Sequence, residues 1–310
     1  MNVHFDLKKY DAANAAVTIG SFDGLHKGHL EVLHHLKKHA ETNGAQSVVI
    51  SFWPHPRTVI SGISHDFHLL TTLQEKIEHF NKARVDHLVF YPFTTELSKQ
   101  TASQFFDKVL RQQIHTSHLL MGYNQRFGHD RIDKIDTLRH YAKQNGFTLS
   151  QYTAHTINEL KLSSSNIRHL IEQGEISQAN QLLGYQYSVS GNVVVGNKLG
   201  RTLGYPTANI GNIDSKKLLP LMGVYAVRVE LEGAFYDGML NIGFRPTVGG
   251  SLQTIEVNIF DFQQDIYGRK IRVYFQNRIR NEKKFASIDE LKTQLYHDKL
   301  IAQQYLNGML

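Results

Sequence analysis

Two histidines and several glycines stand together near the start of the chain in a pattern that suits phosphate chemistry. An apolar run is followed, just before a run with helical spacing, by Gly20-Ser21-Phe22-Asp23-Gly24-Leu25-His26-Lys27-Gly28-His29. The first N–H groups of a helix and the positive end of its dipole attract anions. Gly24 and Gly28 would let phosphate oxygens approach the backbone, and His26 and His29 could donate hydrogen bonds to a transferring phosphoryl group. The alternative is a glycine-rich turn with surface histidines. Two histidines and two glycines occur together at one junction between a strand and a helix, and this favours the phosphate site.

A second glycine-rich segment covers residues 191–209, with the sequence GNVVVGNKLGRTLGYPTAN. Such a flap can wrap a triphosphate through its backbone N–H groups, although it does not match the P-loop pattern. Thr207 and Asn209 offer oxygen ligands, which suit Mg²⁺ better than a nitrogen-rich site would. The alternative is an ordinary region of glycine-rich β-turns.

Two further segments are ambiguous when their local sequence is considered alone. Glu256 alternates within Ile-Glu-Val-Asn-Ile, so it fits the outward face of a strand as well as it fits a general base. The run SSSNIR (163–168), which contains Ser164, Ser165 and Arg168, fits a helix N-cap. Its arginine could equally grip phosphate oxygens in a bidentate manner.

The elements that would position the first set alternate between strand and helix. Apolar runs at 15–22, 47–52, 87–93, 118–123 and 147–153 are separated by helical spacing after residue 28 and at 71–84, 101–113 and 135–146. This alternation predicts an α/β, Rossmann-like domain with a parallel sheet and helices on its faces. In such sheets ligands bind beyond the C-terminal strand ends, where the strand order switches.

The C-terminal part has a different pattern. Short alternating runs at 187–196, 223–233, 235–243, 253–260 and 270–280 predict an antiparallel β-barrel or sandwich, with a terminal helix at 288–306 packed across it. Seventeen of the 18 histidines lie at or before His169, and glycine is denser after residue 184. We therefore expect two domains, residues 1–184 and 185–310, joined by a short ordered junction.

Composition narrows the classes of function. The 310 residues are 41% hydrophobic and 20% charged, which suits packed domains, and no apolar run approaches a membrane span. Cysteine is absent, which excludes disulfides and thiolate sites and fits the reducing cytoplasm, the expected location. The net charge of +6 is distributed along the chain without a long basic run. It therefore indicates a mild preference for anionic ligands and argues against a nucleic-acid-binding surface.

Taken together, these segments resemble a known family. Residues 20–29 resemble the GxFDGxHxGH motif of the nucleotidyltransferase superfamily, in the form found in bacterial bifunctional riboflavin kinase/FAD synthetases. FWPHPR (52–57), MGYNQRFGHDR (121–131) and LSSSNIRHLI (162–171) are similar to the next segments of that family's adenylyltransferase module. Residues 191–210 resemble the riboflavin kinase motif GxVxxGxxxGRxxGxPTAN, followed by NIGFRPTVGG (241–250), IEVNIFDF (255–262) and IRNEKKF (279–285). The resemblance covers residues 14–306 in the family's order.

The resemblance implies the residues of two sites. For ATP in the adenylyltransferase it implies Gly20, Ser21, Phe22, Asp23, Gly24, His26, Gly28, His29, Asn124, Ser164, Ser165 and Arg168. For ATP in the kinase it implies Gly196, Lys198, Gly200, Arg201, Gly204, Pro206, Thr207 and Asn209, with Thr207 and Asn209 as metal ligands. The implied catalytic residues are Glu256, His26, His29 and Arg168.

The implied function is a bifunctional enzyme that phosphorylates riboflavin to FMN in its C-terminal domain and adenylylates FMN to FAD in its N-terminal domain. ATP, riboflavin and FMN would be the substrates, Mg²⁺ would serve both sites, and no nucleic acid or membrane would be a partner. Two alternatives remain open: the same folds with only one active module, and a basic nucleic-acid-binding protein. The sequence does not indicate an oligomeric state.

Overall fold

The structure is a computed structural model that describes residues 1–60, 67–122, 128, 135–152, 162–196, 199–247 and 250–308. Its contacts divide the chain into two compact units, Met1–Ser163 and Ser164–Leu310. Within the described ranges, no helix combines the length and the apolar character that a bilayer crossing requires.

Strands and helices alternate along the first unit, as the sequence predicts. Its described strands are β1 (Asn2–His4), β2 (Ala15–Gly20), β3 (Gln46–Trp53), β4 (His87–Pro92), β5 (Thr116–Met121) and β6 (Thr148–Gln151). Its described helices are α1 (Lys27–Thr42), α2 (Pro56–Val59), α3 (Leu73–Ala83), α4 (Thr95–Ser98), α5 (Ala102–Phe105) and α6 (Ile135–Gln144). A 3₁₀ turn covers Leu7–Lys9, and α5 continues as a π-helical stretch over Phe106–Arg111.

The strands of the first unit form a parallel sheet with the order β1-β4-β3-β2-β5-β6. Alternate residues of β2 enter opposite cores: Val17 packs with α5 and α6, whereas Ala16 packs with α1 and α3. Both faces are therefore covered, as is usual for parallel sheets. The strand order reverses between β2 and β5, so the end of β2 at Gly20 lies at the switch point. The predicted parallel α/β fold is confirmed.

The second unit begins with two helices, α7 (Ser164–Glu172) and α8 (Ile176–Leu183). Its described strands are β7 (Ser188–Val194), β8 (Ala208–Gly211), β9 (Gly223–Leu231), β10 (Ala234–Thr247), β11 (Gly250–Ile259) and β12 (Lys270–Arg280). They form a closed antiparallel barrel in the order β10-β11-β8-β7-β12-β9. The short helix α9 (Leu199–Thr202) precedes β8, and α10 (Ile288–Leu306) ends the chain. Of the two architectures that the sequence allowed, the barrel is the correct one.

Helix α10 packs on the barrel through a small apolar cluster and one buried ion pair. Ala302 and Leu306 of the helix belong to this cluster together with Met239 of the barrel. Asp298 is fully buried and accepts hydrogen bonds from the Arg280 guanidinium, at 2.7 Å from Nη2 and 2.9 Å from Nε. Because a buried carboxylate is costly without such a partner, the pair fixes the helix against the end of β12.

Helices α7 and α8 belong to the barrel unit by their contacts. Asn180 Nδ2 donates to the Phe275 carbonyl at 2.8 Å, and Leu221 N donates to the Ile171 carbonyl at 3.2 Å. Gly174, in the turn between the helices, lies so close to Arg278 that an added Cβ would be 2.6 Å from its Cδ. The predicted boundary after residue 184 falls beyond these helices, whereas the contact division falls before them.

Two fragments distinguish these boundaries. We expect residues 164–310 to unfold cooperatively at a higher temperature than residues 185–310. The shorter fragment lacks the apolar side chains that α7 and α8 bury, at about 1.5–3 kcal/mol each. Thermal unfolding followed by circular dichroism measures the difference. Equal midpoints would show that the two helices add nothing to the barrel and that the boundary at 184 is the physical one.

Candidate active sites

The first candidate site is the turn that joins β2 to α1 at the switch point of the sheet. Gly24 adopts φ of +81°, a conformation that favours glycine, and Phe22 adopts φ of +45° although it carries a side chain. The Phe22 ring is buried and meets the His29 ring edge to face at 5.1 Å. A strained backbone at this point indicates that surrounding contacts hold the turn in one shape.

Asp23 is one of the contacts that hold this turn. Its carboxylate is fully buried and accepts hydrogen bonds from Leu70 N at 3.0 Å and from Thr71 N and Oγ1 at 3.1 Å. Thr71 Oγ1 in turn accepts from Gly24 N at 3.2 Å. Both oxygens of Asp23 therefore bind protein groups, and the residue ties the turn to the segment before α3.

The two histidines of the turn are neutral and stacked. His26 caps α1: its Nδ1 accepts from His29 N at 3.4 Å, and the two rings lie 3.7 Å apart. Burial lowers the pKa of His26 to about 4, with partial opposition from its own backbone and from Asp23. Because Nδ1 is the acceptor, the single proton of His26 sits on Nε2, where it can be donated to a phosphate oxygen.

His29 lies beside two other basic side chains, His26 and Lys76. Burial lowers its pKa well below the ordinary value, and the nearby His26 and Lys76 lower it further. Among the residues that the structure describes, its buried Nδ1 has no hydrogen-bond partner. Gly28 lies beside this pair, and a Cβ there would approach Leu162 Cδ2 to 3.0 Å.

Lys76 is a member of this site that the sequence analysis missed. Its side chain is 1% exposed, and Nζ donates to the Ser21 carbonyl at 2.7 Å. Burial lowers its pKa to about 8, against the attraction of Asp23. One signal was present in the sequence: Lys76 lies three residues after Leu73 and four before Phe80, so it occupies the apolar face of α3.

Other residues predicted for the first site belong to the second unit or lie outside the described residues. Ser164, Ser165 and Arg168 lie on α7, the first helix of the second unit. Arg168 is buried, and its Nη1 donates to the Ser164 carbonyl at 3.3 Å, whereas Ser165 is exposed. Asn124, and with it most of the 121–131 segment, lies outside the described residues.

The second candidate site lies in the barrel unit, where Thr207 borders two cavities. The first, of about 500 Å³, is lined by Arg201, Pro206, Thr207, Gln264 and Tyr267 among others, and we call it the Gln264 cavity. The second, of about 550 Å³, is lined by Gly200, Thr207, Asn241, Glu256 and Glu282 among others, and we call it the Glu256 cavity.

Glu256 reaches Thr207 across two neighbouring strands. The Thr207 hydroxyl donates to Glu256 Oε2 at 3.3 Å, and Glu256 pairs in register with Asn209 of β8. Its strand neighbours Ile255 and Val257 are buried in the barrel, so Glu256 faces outward as the alternation predicts. The carboxylate thus lies in the wall of the Glu256 cavity and contacts Thr207, which borders both cavities.

The donors around Thr207 suit a hard cation. Thr207 directly precedes β8 and contacts Glu256, which pairs in register with Asn209. With Glu256 they form a set of oxygen donors, the type that Mg²⁺ prefers. Within the described ranges, no group of three or more His, Asp or Glu side chains is placed to bind a metal. A cation here would therefore need further ligands from a substrate or from water.

The glycines of the second segment permit close contacts around these donors. A Cβ on Gly196 would collide with the Asn209 side-chain amide, and one on Gly200 would collide with the Tyr205 carbonyl. Gly204 adopts φ of +83° in the turn that follows. Pro206 is held from the other side, since Asn258 Nδ2 donates to its carbonyl at 2.7 Å. Lys198 lies outside the described residues.

Comparison with known proteins gives matches for both units. The family model for FAD synthetase matches residues 8–166, and the model for riboflavin kinase matches residues 183–306. The chain is 37% identical to the bifunctional riboflavin kinase/FMN adenylyltransferase of Haemophilus influenzae, over 94% of each chain. It is 34% identical to the protein of the same name from Bacillus subtilis, over 98% of this chain and 96% of that one. The Escherichia coli K12 protein of that name is 33% identical over 97% and 95%.

A solved structure matches the whole fold. A crystal structure described as a macrolide-efflux protein from Streptococcus pneumoniae superposes with a TM-score of 0.89 and 31% identity, over 97% of this chain and 98% of that one. Its description differs from the names of the sequence relatives and of both family models. The likeness supports the arrangement of strands and helices described above.

Proposed function

We propose residues for each of the two reactions that this chain catalyses. The chain belongs to the family of bifunctional riboflavin kinase/FMN adenylyltransferases. The protein is a transferase of flavin cofactor biosynthesis. It transfers the γ-phosphoryl group of ATP to riboflavin, which gives FMN, and it transfers AMP from a second ATP to FMN, which gives FAD and pyrophosphate. ATP, riboflavin and FMN are its substrates.

The kinase reaction is assigned to the two cavities that Thr207 borders in the barrel unit. The observation that carries this assignment is that Thr207 borders both cavities while it contacts Glu256. We assign ATP to the Gln264 cavity, together with Gly196, Lys198, Gly200, Arg201 and Gly204 of the flap, and riboflavin to the Glu256 cavity. The transferring phosphoryl group would then pass close to Thr207.

Glu256 is proposed as the general base of this step. The ribityl hydroxyl of riboflavin is a poor nucleophile at neutral pH, so loss of its proton to a carboxylate lowers the barrier. The hydroxyl oxygen forms a bond to the γ-phosphorus, the bond from that phosphorus to ADP breaks, and the proton passes to Glu256. The Thr207 hydroxyl, which donates to the same carboxylate, holds it in place before substrate binds.

Mg²⁺ is proposed at the kinase site, where the oxygen donors of Thr207 and Asn209 fit it. When bound, the ion neutralises charge on the transferring phosphates. The chain's own contribution is to hold the two oxygens, with Gly196 packed against the Asn209 amide. We also expect Mg²⁺ at the adenylyltransferase site.

A substitution that removes one oxygen tests this assignment. Thr207→Val keeps the shape of the side chain but removes its hydroxyl. We expect the Mg²⁺ concentration for half-maximal FMN formation to rise by about tenfold or more, since even indirect partners of a metal contribute 10–100-fold to its affinity. Thr207→Ser should restore the wild-type value, and FAD formation from added FMN should not change. An unchanged Mg²⁺ requirement in Thr207→Val would remove Thr207 from the metal site.

The adenylyltransferase reaction is assigned to the turn between β2 and α1. An oxygen of the FMN phosphate bonds to the α-phosphorus of ATP, and the bond from that phosphorus to pyrophosphate breaks. The FMN phosphate is already an anion, so the step needs no general base. The neutral His26 donates a hydrogen bond from Nε2 to phosphate oxygens, and His29 stabilises the charge that develops on the transferring group. The backbone from Gly20 to Gly28 binds the other phosphate oxygens of ATP.

Four further residues are proposed for the same reaction from the family motifs. Ser164, Ser165 and Arg168 would bind phosphate oxygens of ATP, and Asn124 would contribute a further contact. The buried guanidinium of Arg168 presents a planar set of donors that suits a phosphate. We propose the cytoplasm as the compartment, because it supplies the ATP that both reactions consume, and small molecules as the only partners.

A further inference from the structure

Lys76 is a buried cation at the adenylyltransferase turn with no role in the mechanism above. It lies on α3, yet its ammonium reaches the carbonyl of Ser21 in the β2–α1 turn at 2.7 Å. Ser51 Oγ reaches the same carbonyl from β3 at 3.4 Å, and the Trp53 ring centre lies 5.8 Å from Lys76 Nζ. Burial of an ammonium is unfavourable, so a cation retained here needs a reason beyond packing.

The hydrogen bond to Ser21 fixes the orientation of one peptide unit. In a trans peptide the C=O and the following N–H point in opposite directions. Because the Ser21 carbonyl points towards the buried ammonium, the N–H of Phe22 points away from it. Phe22 has a positive φ of +45°, which costs free energy unless contacts enforce it. Lys76 is the charged contact that enforces this orientation.

Lys76 also acts on the histidines through its charge. It is one of the groups that lower the pKa of His29, after burial and the neighbouring His26. A cation so close disfavours a second positive charge on the imidazole. The site therefore keeps a neutral hydrogen-bond donor beside a fixed positive charge, an arrangement that suits a group on which negative charge develops.

We propose that Lys76 is a positioning residue for FMN adenylylation: its ammonium holds the Ser21–Phe22 peptide so that the Phe22 N–H faces the transferring phosphoryl group. The residue acts through the turn, without contact with substrate. This inference rests on the assignment of the adenylyltransferase site to the same turn.

Three variants of α3 test the inference in the full-length protein. Lys76→Met keeps an unbranched buried side chain but removes the donor and the charge. We expect kcat for FAD formation from FMN and ATP to fall by about tenfold or more, because a misaligned donor loses part of the 10²–10³-fold that one such donor contributes. KM for ATP should change less than kcat. Lys82→Met removes an exposed lysine of the same helix and should leave both parameters unchanged.

The pH dependence separates positioning from mere stability. The charged and titratable groups around Lys76 are Asp23 of the turn, His26 and His29 at the start of α1, and Glu75 beside it on α3. Burial lowers the pKa of Lys76 to about 8, which places its titration in the alkaline range. Its donor is present below a pKa of about 8 and is lost above it.

We therefore expect kcat/KM for FAD formation in the wild type to fall on the alkaline side with an apparent pKa near 8. Lys76→Met should show a low rate without this alkaline limb. Lys76→Arg should recover part of the rate and lack the limb up to about pH 10, because arginine stays charged. Thermal unfolding of each full-length variant, followed by circular dichroism, provides the control for folding, because riboflavin phosphorylation belongs to the other unit and does not report on this one.

The outcomes separate failure of this inference from failure of the site assignment. If Lys76→Met keeps wild-type FAD formation while His29→Ala loses it, the site is correct and the role of Lys76 is wrong. If neither variant loses FAD formation, the site assignment itself is wrong. If the alkaline limb persists unchanged in both Lys76 variants, another group titrates and the positioning role is refuted. If neither variant folds, the pH profile of the wild type alone tests the proposal. A kcat/KM for FAD formation that does not fall between pH 7 and 9.5 contradicts it.

Discussion

Replacement of His29 by alanine is expected to lower FAD formation from FMN and ATP by about 10²-fold or more, the effect of removing one donor to a developing charge. His29 stacks on the capping His26 at 3.7 Å, and its ring edge contacts Phe22. Its role depends on a neutral ring in an apolar setting, which alanine cannot supply. Phosphorylation of riboflavin by the same variant should persist, because the second unit carries that reaction.

A histidine of the same helix provides the matched control. His34 lies on the exposed side of α1, and His34→Ala should leave both reactions unchanged. Chromatography of the flavins formed from riboflavin and ATP reads both activities at once: His29→Ala should accumulate FMN. Undiminished FAD in His29→Ala would refute the assigned role.

Replacement of Glu256 by glutamine is expected to lower riboflavin phosphorylation by about 10²–10⁴-fold, the usual contribution of a general base. The amide keeps the size of the side chain and its place opposite Asn209, but it removes the basic oxygen that contacts Thr207. Adenylylation of added FMN should stay near the wild-type rate. An unchanged thermal unfolding profile, measured by circular dichroism, separates loss of chemistry from misfolding of the barrel, while adenylylation confirms that the first unit is intact.

Asp261→Asn is the matched control for Glu256→Gln. Asp261 is an exposed carboxylate two residues beyond the end of β11, and asparagine tolerates its positive φ of +53°. Its kinase rate should equal that of the wild type. If Glu256→Gln loses less than about threefold, far below what a general base supplies, Glu256 is an ordinary strand residue and the base lies elsewhere.

The sequence predicts much of the fold because both units follow simple periodicities. The runs that became β2, β3, β4 and β5 are apolar on both faces, as strands covered by helices must be. The alternation around Glu256 correctly places Ile255 and Val257 inside the barrel. β1 was not predicted, since three residues carry too little pattern. The attachment of α7 and α8 to the barrel depends on contacts such as Asn180 with Phe275, and no local pattern contains them.

The candidate sites were predictable where the chemistry is local, and not where it depends on distant partners. His26, Gly28 and His29 lie in one short motif, so their spacing alone indicates a phosphate site. Asp23 binds Leu70 and Thr71, 47 and 48 residues away, and that structural role is invisible in the motif. Lys76 was hidden for the same reason, because its partner Ser21 is 55 residues distant and a lysine within a helix is usually exposed.

The most direct test of the central claim, that two separate sets of residues carry the two reactions, is a mixing experiment with the two inactive variants. His29→Ala alone should convert riboflavin to FMN and stop there. Glu256→Gln alone should leave riboflavin unreacted and yet convert added FMN to FAD. An equimolar mixture, supplied with riboflavin and Mg·ATP and analysed by chromatography, should form FAD, because FMN released by one variant is the substrate of the other. Loss of both reactions in either single variant, or a mixture that forms no FAD although each variant keeps its own reaction, would contradict the account.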